Sequence, residues 1–163
     1  VLKLDEQKLR NMSIGESRVA ALMHNPLYSI TSLTALVDAL ESLKGVQGRD
    51  RVAAFAAAAG KEDKARLIVA AVQMLSRYHA KVGPLARVDA PGPLVARTRA
   101  GGILVPAPLD YVPWTRAVAT FARRPELKAK VRTAWLTGTL SPRAKQEFAA
   151  AGWTVREEPI PGG

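Results

Sequence analysis

The sequence predicts a mixed α/β fold of the α+β kind, with an N-terminal bundle of about four helices packed on a small mixed β-sheet. Three observations indicate it. The first half carries apolar residues at helical spacing, and the second half carries short apolar runs between turn residues. The last third has the pattern of a strand–helix–strand unit. We expect a helical subdomain over residues 1–83, a small α/β subdomain over 84–158 and a flexible tail over 159–163, forming one compact unit.

The segment before residue 17 is polar. The helices of the first half are expected after it, over residues 17–24, 31–43, 49–59 and 62–81. The second shows Leu33, Leu36 and Leu40 on one face and has Thr31 or Ser32 as a candidate cap. The fourth is apolar over most of its circumference, which is typical of a helix at the centre of its domain.

Short strands are expected over residues 85–88, 94–99 and 103–105. Gly101-Gly102 between the second and third predicts a hairpin, because paired glycines readily take positive φ. Pro106 and Pro108 cannot donate ladder hydrogen bonds, so the third strand is expected at an edge of the sheet or to leave the sheet there.

A helix with Pro113 in its first turn is expected to follow, and then the strand–helix–strand unit. Its strands are Val131–Leu136 and Trp153–Glu157, and Ser141 is the predicted N-cap of the helix between them, with Pro142 in the first turn. A strand, a helix and a second strand in so short a segment predict a parallel crossover.

Composition removes several classes of protein. The chain has 163 residues and no Cys, which rules out a disulfide scaffold and any Cys-based metal site. It also has no apolar run long enough for a membrane helix. Abundant Ala, Arg, Gly and Pro are typical of GC-rich bacterial genomes. Because the chain starts at Val1, a removed leader and a longer parent chain both stay open, as do the cytoplasm and the periplasm.

Few residues suggest catalysis, and no metal or cofactor is expected. Both histidines, His24 and His79, fall near predicted helix ends, where helix electrostatics explain them. Ser141 lacks the Gly-x-Ser-x-Gly surroundings of a hydrolase nucleophile, although a hydrolase centred on it is kept as an alternative. A metal-dependent nuclease using Asp110, Glu126 and Lys128 is another alternative, since carboxylates can hold Mg²⁺ beside a lysine.

Charge is the most prominent functional signal. Lys and Arg number 24 against 14 Asp and Glu, for a formal net charge of +10, which attracts acidic partners at long range. Six cations concentrate in the stretch from residue 116 to 132, and two more lie on the predicted hairpin. The candidate partner-binding residues are Arg97, Arg99, Arg116, Arg123, Arg124, Lys128, Lys130 and Arg132.

The leading hypothesis is therefore a non-enzymatic binding or accessory module, of bacterial origin by composition, that contacts a macromolecular partner through this basic surface. An acidic protein and a nucleic acid are both candidate partners, and a nucleic-acid-binding protein is the first alternative. Aromatic residues do not alternate with the cations, so the sequence offers no stacking platform for single-stranded bases.

Overall fold

The computed structural model describes residues 2–161 and confirms the mixed α/β fold, with helices concentrated in the N-terminal half. The first five helices are α1 (Leu2–Asn11), α2 (Glu16–Met23), α3 (Ile30–Ser42), α4 (Arg49–Ala57) and α5 (Glu62–Lys81). The remaining helices are α6 (Arg116–Ala122) and α7 (Pro142–Ala150). The strands are β1 (Leu85–Asp89), β2 (Val95–Thr98), β3 (Ile103–Ala107), β4 (Tyr111–Val112), β5 (Arg132–Leu136), β6 (Thr139–Leu140) and β7 (Thr154–Arg156).

The main sheet is mixed and has the order β1-β2-β3-β5-β7. Its first three strands pair antiparallel, and β3, β5 and β7 pair parallel. The hairpin predicted at Gly101 is confirmed: β2 and β3 are antiparallel and Gly101 has a φ of +92°. The parallel crossover of the last third is confirmed as well, and β3–α6–β5 forms a second one. A short parallel pair, β4 with β6, lies beyond the carboxyl ends of β3 and β5.

The two faces of the sheet pack against different helices. Leu104 and Trp135 belong to a core that also holds the buried residues of α1 to α5. Their neighbours Val105 and Ala134 belong to a second core with Phe148 of α7. Successive side chains of a strand point to opposite faces, so this division follows from the pleat.

The helical half thus shares its core with the sheet. Buried Leu85 and Leu104 lie in the same cluster as the helices, and α5, central as predicted, buries Ile68, Val72 and Leu75 there. Ile160, in the predicted flexible tail, is 6% exposed and joins this core; Gly162 and Gly163 lie outside the described residues.

The first helix was not predicted. The polar segment before residue 17 contains α1, which buries Leu9 and Asp5. The Asp5 carboxylate accepts a hydrogen bond of 2.7 Å from the Thr34 hydroxyl. A helix that buries so few residues leaves little apolar periodicity to detect.

Two predicted helix starts were wrong. Ser29, not Thr31 or Ser32, caps α3 through its hydroxyl oxygen, which accepts from the Ser32 N–H. Thr115 caps α6, so Pro113 precedes that helix and does not lie in its first turn. In both cases a hydroxyl beside the predicted start makes the capping bond.

The edge position predicted for β3 was also wrong, since β3 lies between β2 and β5. The Ile103 N–H donates to Val131 O, and Ala107 O accepts from Thr137 N. The backbone hydrogen-bonding groups of residues 103, 105 and 107 therefore point towards β5. The backbone nitrogen of Pro106 therefore faces the β2 side. There, β2 pairs with β3 only at residues 103 and 104. A proline costs no ladder bond at such a place.

None of the helices among residues 2–161 combines the length and apolar character that a bilayer crossing requires.

A close approach between the α3–α4 loop and β1 generates a testable prediction. Gly48 and Gly45 both have φ near +90°, but a Cβ on Gly48 would collide with the Val88 carbonyl, whereas a Cβ on Gly45 would meet open space. We expect Gly45→Ala to lower the free energy of unfolding by about 1 kcal/mol, the cost of the left-handed backbone. Gly48→Ala is expected to cost about 3 kcal/mol or more, because the collision adds to that strain. Urea denaturation measures both, and equal losses would contradict the close approach.

Candidate functional site

Two cations of the predicted basic cluster have partners within the fold. The Arg132 side chain is half-buried. Its guanidinium contacts the carbonyl oxygens of Leu127 and Ala151 and lies 5.1 Å from the Trp153 ring centre. Arg123 forms an ion pair of 3.5 Å with Glu147. Arg132 thus connects the loops around α7, whereas the Arg123 pair lies at the surface, where an ion pair contributes little to stability.

Three other cations do share a region of the surface. Arg97, on β2, donates to the backbone oxygen of Glu126 at 3.1 Å, which holds the loop before β5 beside the hairpin. Lys128 and Lys130 are exposed on that same loop. Within the described chain, no carboxylate forms an ion pair with any of the three. Arg97, Lys128 and Lys130 are called the loop cations below.

The three remaining candidates, Arg99, Arg116 and Arg124, do not belong to the loop cations. Arg99 is exposed and close enough to His79 to affect its titration. Arg116 is the exposed first residue of α6. Arg124 stacks over Phe121, with its guanidinium carbon 5.4 Å from the ring centre, and lines a cavity described below.

The carboxylates and lysine of the nuclease alternative are not brought together. Asp110 follows the carboxyl end of β3, and its backbone oxygen accepts from the Thr139 N–H. Glu126 and Lys128 precede the amino end of β5, because α6 returns the chain to that edge. The parallel strands between these edges are roughly 13 Å long. Among residues 2–161, no group of three or more metal-ligating His, Asp or Glu side chains occurs.

Ser141 caps α7, as predicted. Its hydroxyl oxygen accepts from the Ala144 N–H at 3.1 Å, and the residue is buried directly after β6. The hydrogen bonds of both imidazoles go elsewhere: His24 Nδ1 lies 2.9 Å from Ala20 O, and His79 Nδ1 accepts from the Leu85 N–H at 3.0 Å. The hydrolase alternative therefore stays a prediction with no base oriented on Ser141 among the described residues.

An apolar cavity of about 670 Å³ opens at the carboxyl edge of the parallel strands. It is lined by residues at the carboxyl ends of β3 and β5, by the first half of α5 and by α6. Ligands of open α/β sheets bind at this edge, beyond the carboxyl ends of the strands. The volume is in the range of small-molecule sites. The main apolar residues around it are Phe55, Leu67, Ile68, Leu94, Val105, Leu109, Val118, Phe121, Ala134, Leu136, Leu140 and Phe148.

Incomplete packing of α6 creates this cavity. The helix has seven residues and buries only Ala122, while its apolar face, Ala117, Val118 and Phe121, borders the open space and is only partly covered. Across the opening, Leu67 and Leu109 are 39% and 40% exposed. Apolar side chains thus line both sides of a volume that the described chain does not fill.

The charges at the cavity are positive and lie at its rim. Lys61, Lys64 and Arg124 line it, and none of them forms an ion pair within the described residues. The Lys64 ammonium nitrogen lies 4.9 Å from the centre of the Phe55 ring, a cation–π contact at the edge of the apolar wall. Asp63 is the one carboxylate in the lining, and it pairs with Arg66 at 2.6 Å.

A second cavity, of about 380 Å³, lies beneath the C-terminal segment. Two polar side chains of its lining have partners in the C-terminal segment: the Trp135 indole N–H donates to Glu158 O at 2.6 Å, and Arg156 pairs with the Glu158 carboxylate at 2.9 Å. Both bonds hold the C-terminal segment beside this smaller cavity, so the fold explains them without a ligand.

Sequence reasoning missed the apolar cavity, although two signals of it were present. The all-round apolar character of α5 was explained by a central position, whereas Leu67 lies on the side that faces the cavity. The second signal is the helical spacing of Ala117, Val118 and Phe121 in α6, which border the cavity. Periodicity shows which residues share a face, but it does not show whether another element fills the space opposite.

Comparison of the chain with family models, with curated proteins and with solved structures finds no match, so the arguments about function depend on its own residues.

The contact of His79 with β1 predicts a pH dependence of stability. Desolvation, with a smaller contribution from the Arg99 charge, lowers the pKa of His79 from 6.5. Since the unfolded chain then binds more protons than the folded one, stability is fully present above pH 6.5 and falls as the pH drops towards the folded-state pKa. His79→Asn keeps a side-chain acceptor for the Leu85 N–H but cannot titrate. We expect the unfolding free energy of the wild type to fall more than that of His79→Asn between pH 7.5 and 5; parallel curves would contradict the assignment.

Proposed function

We propose that the protein is a non-enzymatic binding module whose ligand is a small, largely apolar molecule held in the cavity between α6 and the sheet. The observation that carries this proposal is the unfilled apolar volume, bordered by a helix whose apolar face is only partly covered. An open apolar surface of this kind is unfavourable in water unless something covers it.

The chemistry of the walls supports binding of an apolar body. Burial of apolar surface contributes about 25 cal/mol per Å², and the lining offers apolar atoms from four helices and the sheet. Water gains little there, because an apolar cavity offers it few hydrogen-bond partners. The described titratable side chains of the lining are Lys61, Asp63, Lys64 and Arg124, all at the rim. Asp63 is held by Arg66, and the three cations have no acidic partner among the described residues, so they are placed to select a ligand by charge.

The proposal predicts saturable binding of a neutral apolar dye. We expect Nile red, which carries no charge, to bind with one-to-one stoichiometry and with the blue-shifted emission of an apolar environment. Ala117→Trp should weaken the binding at least ten-fold, because an indole at this exposed position of α6 projects into the cavity. Fluorescence titration measures both affinities.

Thr120→Trp is the matched control, since Thr120 lies on the same helix, is exposed and does not line the cavity. It should bind Nile red as the wild type does. Equal affinity in the Ala117→Trp and Thr120→Trp variants would show that the dye binds elsewhere, and absence of saturable binding would overturn the proposal.

A second candidate function is contact with an acidic macromolecule through the loop cations. It is favoured by one observation: the Arg97 guanidinium holds the backbone of Glu126, so that Lys128 and Lys130 extend from the loop beside the hairpin. The loop cations are fewer than the eight predicted residues, yet they lie in one region and have no described acidic partner. A nucleic acid or an acidic protein surface would both meet this requirement.

Salt dependence tests this second candidate. A fluorescent DNA duplex and a poly-glutamate peptide would be titrated at 50 and 200 mM NaCl. If DNA is bound through the loop, Lys128→Gln/Lys130→Gln should reduce the slope of log affinity against log salt by about 1.8, the share of two phosphate contacts. Lys3→Gln/Lys44→Gln removes the same charge elsewhere and should leave the slope unchanged. Binding of neither probe at 50 mM NaCl would eliminate this candidate.

A further inference from the structure

We infer that the ligand of the cavity is an amphipathic acid: an aliphatic chain that ends in one carboxylate, with the chain in the cavity and the carboxylate at Lys61 and Lys64. This inference rests on the proposed function, because it assigns a chemical class to the ligand of the same site. It adds a prediction about charge that binding of a neutral dye does not test.

The apolar interior determines the body of the ligand. Apart from the rim residues, the lining side chains are aliphatic, aromatic, proline or glycine, so no side chain inside the cavity can hydrogen-bond a sugar or a nucleobase. A ligand rich in hydroxyl or amide groups would lose its bonds to water there without replacement. An aliphatic chain loses none.

The rim determines the head group. Lys61 is the N-cap residue of α5 and Lys64 follows within the first turn, so both ammonium groups lie at the same end of the cavity. Neither is neutralised within residues 2–161, whereas Asp63 between them is held by Arg66. Lysine side chains at an apolar rim place their methylene groups on the wall and their charge in water, next to the position of a ligand head group.

The rim therefore favours an anion over a neutral or cationic head. A carboxylate between two ammonium groups forms charge-assisted hydrogen bonds, which are about twice as strong as neutral ones. Arg124 is the remaining cation of the lining, and it borders the apolar face of α6 rather than the start of α5. The two regions can be distinguished by substitution.

The test compares dodecanoate with 1-dodecanol, which share the chain and differ in the charge of the head. Both are titrated as competitors of bound Nile red at pH 7.5 and low salt, below the micelle concentration of the acid. We expect dodecanoate to bind about ten-fold more tightly than the alcohol, a preference of about 1.4 kcal/mol. In Lys61→Gln/Lys64→Gln the preference should fall to two-fold or less, while the affinity for the alcohol stays unchanged.

Matched controls separate this inference from the proposed function. Lys44→Gln/Lys130→Gln removes the same net charge at exposed positions that do not line the cavity, and it should keep the preference for the acid. If both ligands displace Nile red equally from the wild type, the cavity binds apolar chains but the acid assignment is overturned. If Arg124→Gln alone removes the preference, the placement of the carboxylate at Lys61 and Lys64 is overturned. Failure of every ligand, Nile red included, would overturn both proposals.

Discussion

The two-sided burial of β3 and β5 is the constraint on which the rest of the structure depends. Each strand sends alternate side chains into two different cores: Leu104 and Trp135 towards the N-terminal helices, Val105 and Ala134 towards α6 and α7. A central pair of strands with apolar residues on both faces must be covered on both. The five N-terminal helices meet this requirement on one face, and α5 supplies most of the cover.

The other face is covered less evenly. Trp153 and Phe148 pack edge to face with ring centres 6.0 Å apart, so the β5–α7–β7 unit is closed by aromatic contacts. The β3–α6–β5 unit has only the seven residues of α6 to do the same. Phe121 reaches Trp153 at 5.9 Å between ring centres, but Val118 and Phe121 are only partly covered and border the cavity. The cavity is thus a consequence of unequal cover on the two crossovers. Its position at the carboxyl edge follows from the direction of the parallel strands.

Most of the architecture could be predicted from sequence, and the site could not. The bounds of α5 agree with its apolar pattern, and Ser141 could be identified as a cap because the serine–proline pair has a local mechanism. The central position of β3 could not be derived, since whether Pro106 interrupts a ladder depends on how far β2 extends beside it. The contacts of the basic cluster could not be predicted either, because they are tertiary. No local sequence pattern shows that the Arg132 guanidinium contacts the Leu127 and Ala151 carbonyls.

The most direct test of the account is whether a ligand's contacts map to the cavity in solution. Methyl-selective NMR with increasing dodecanoate reports each apolar side chain separately. The account predicts shifts at Ile68, Val105, Val118 and Leu136, which line the cavity, and none at Leu9, Leu22 and Leu36, which lie in the core of the N-terminal helices. Shifts confined to the helical core, or to the segment around Trp135 and Ile160, would contradict the claim that the space beneath α6 is the binding site.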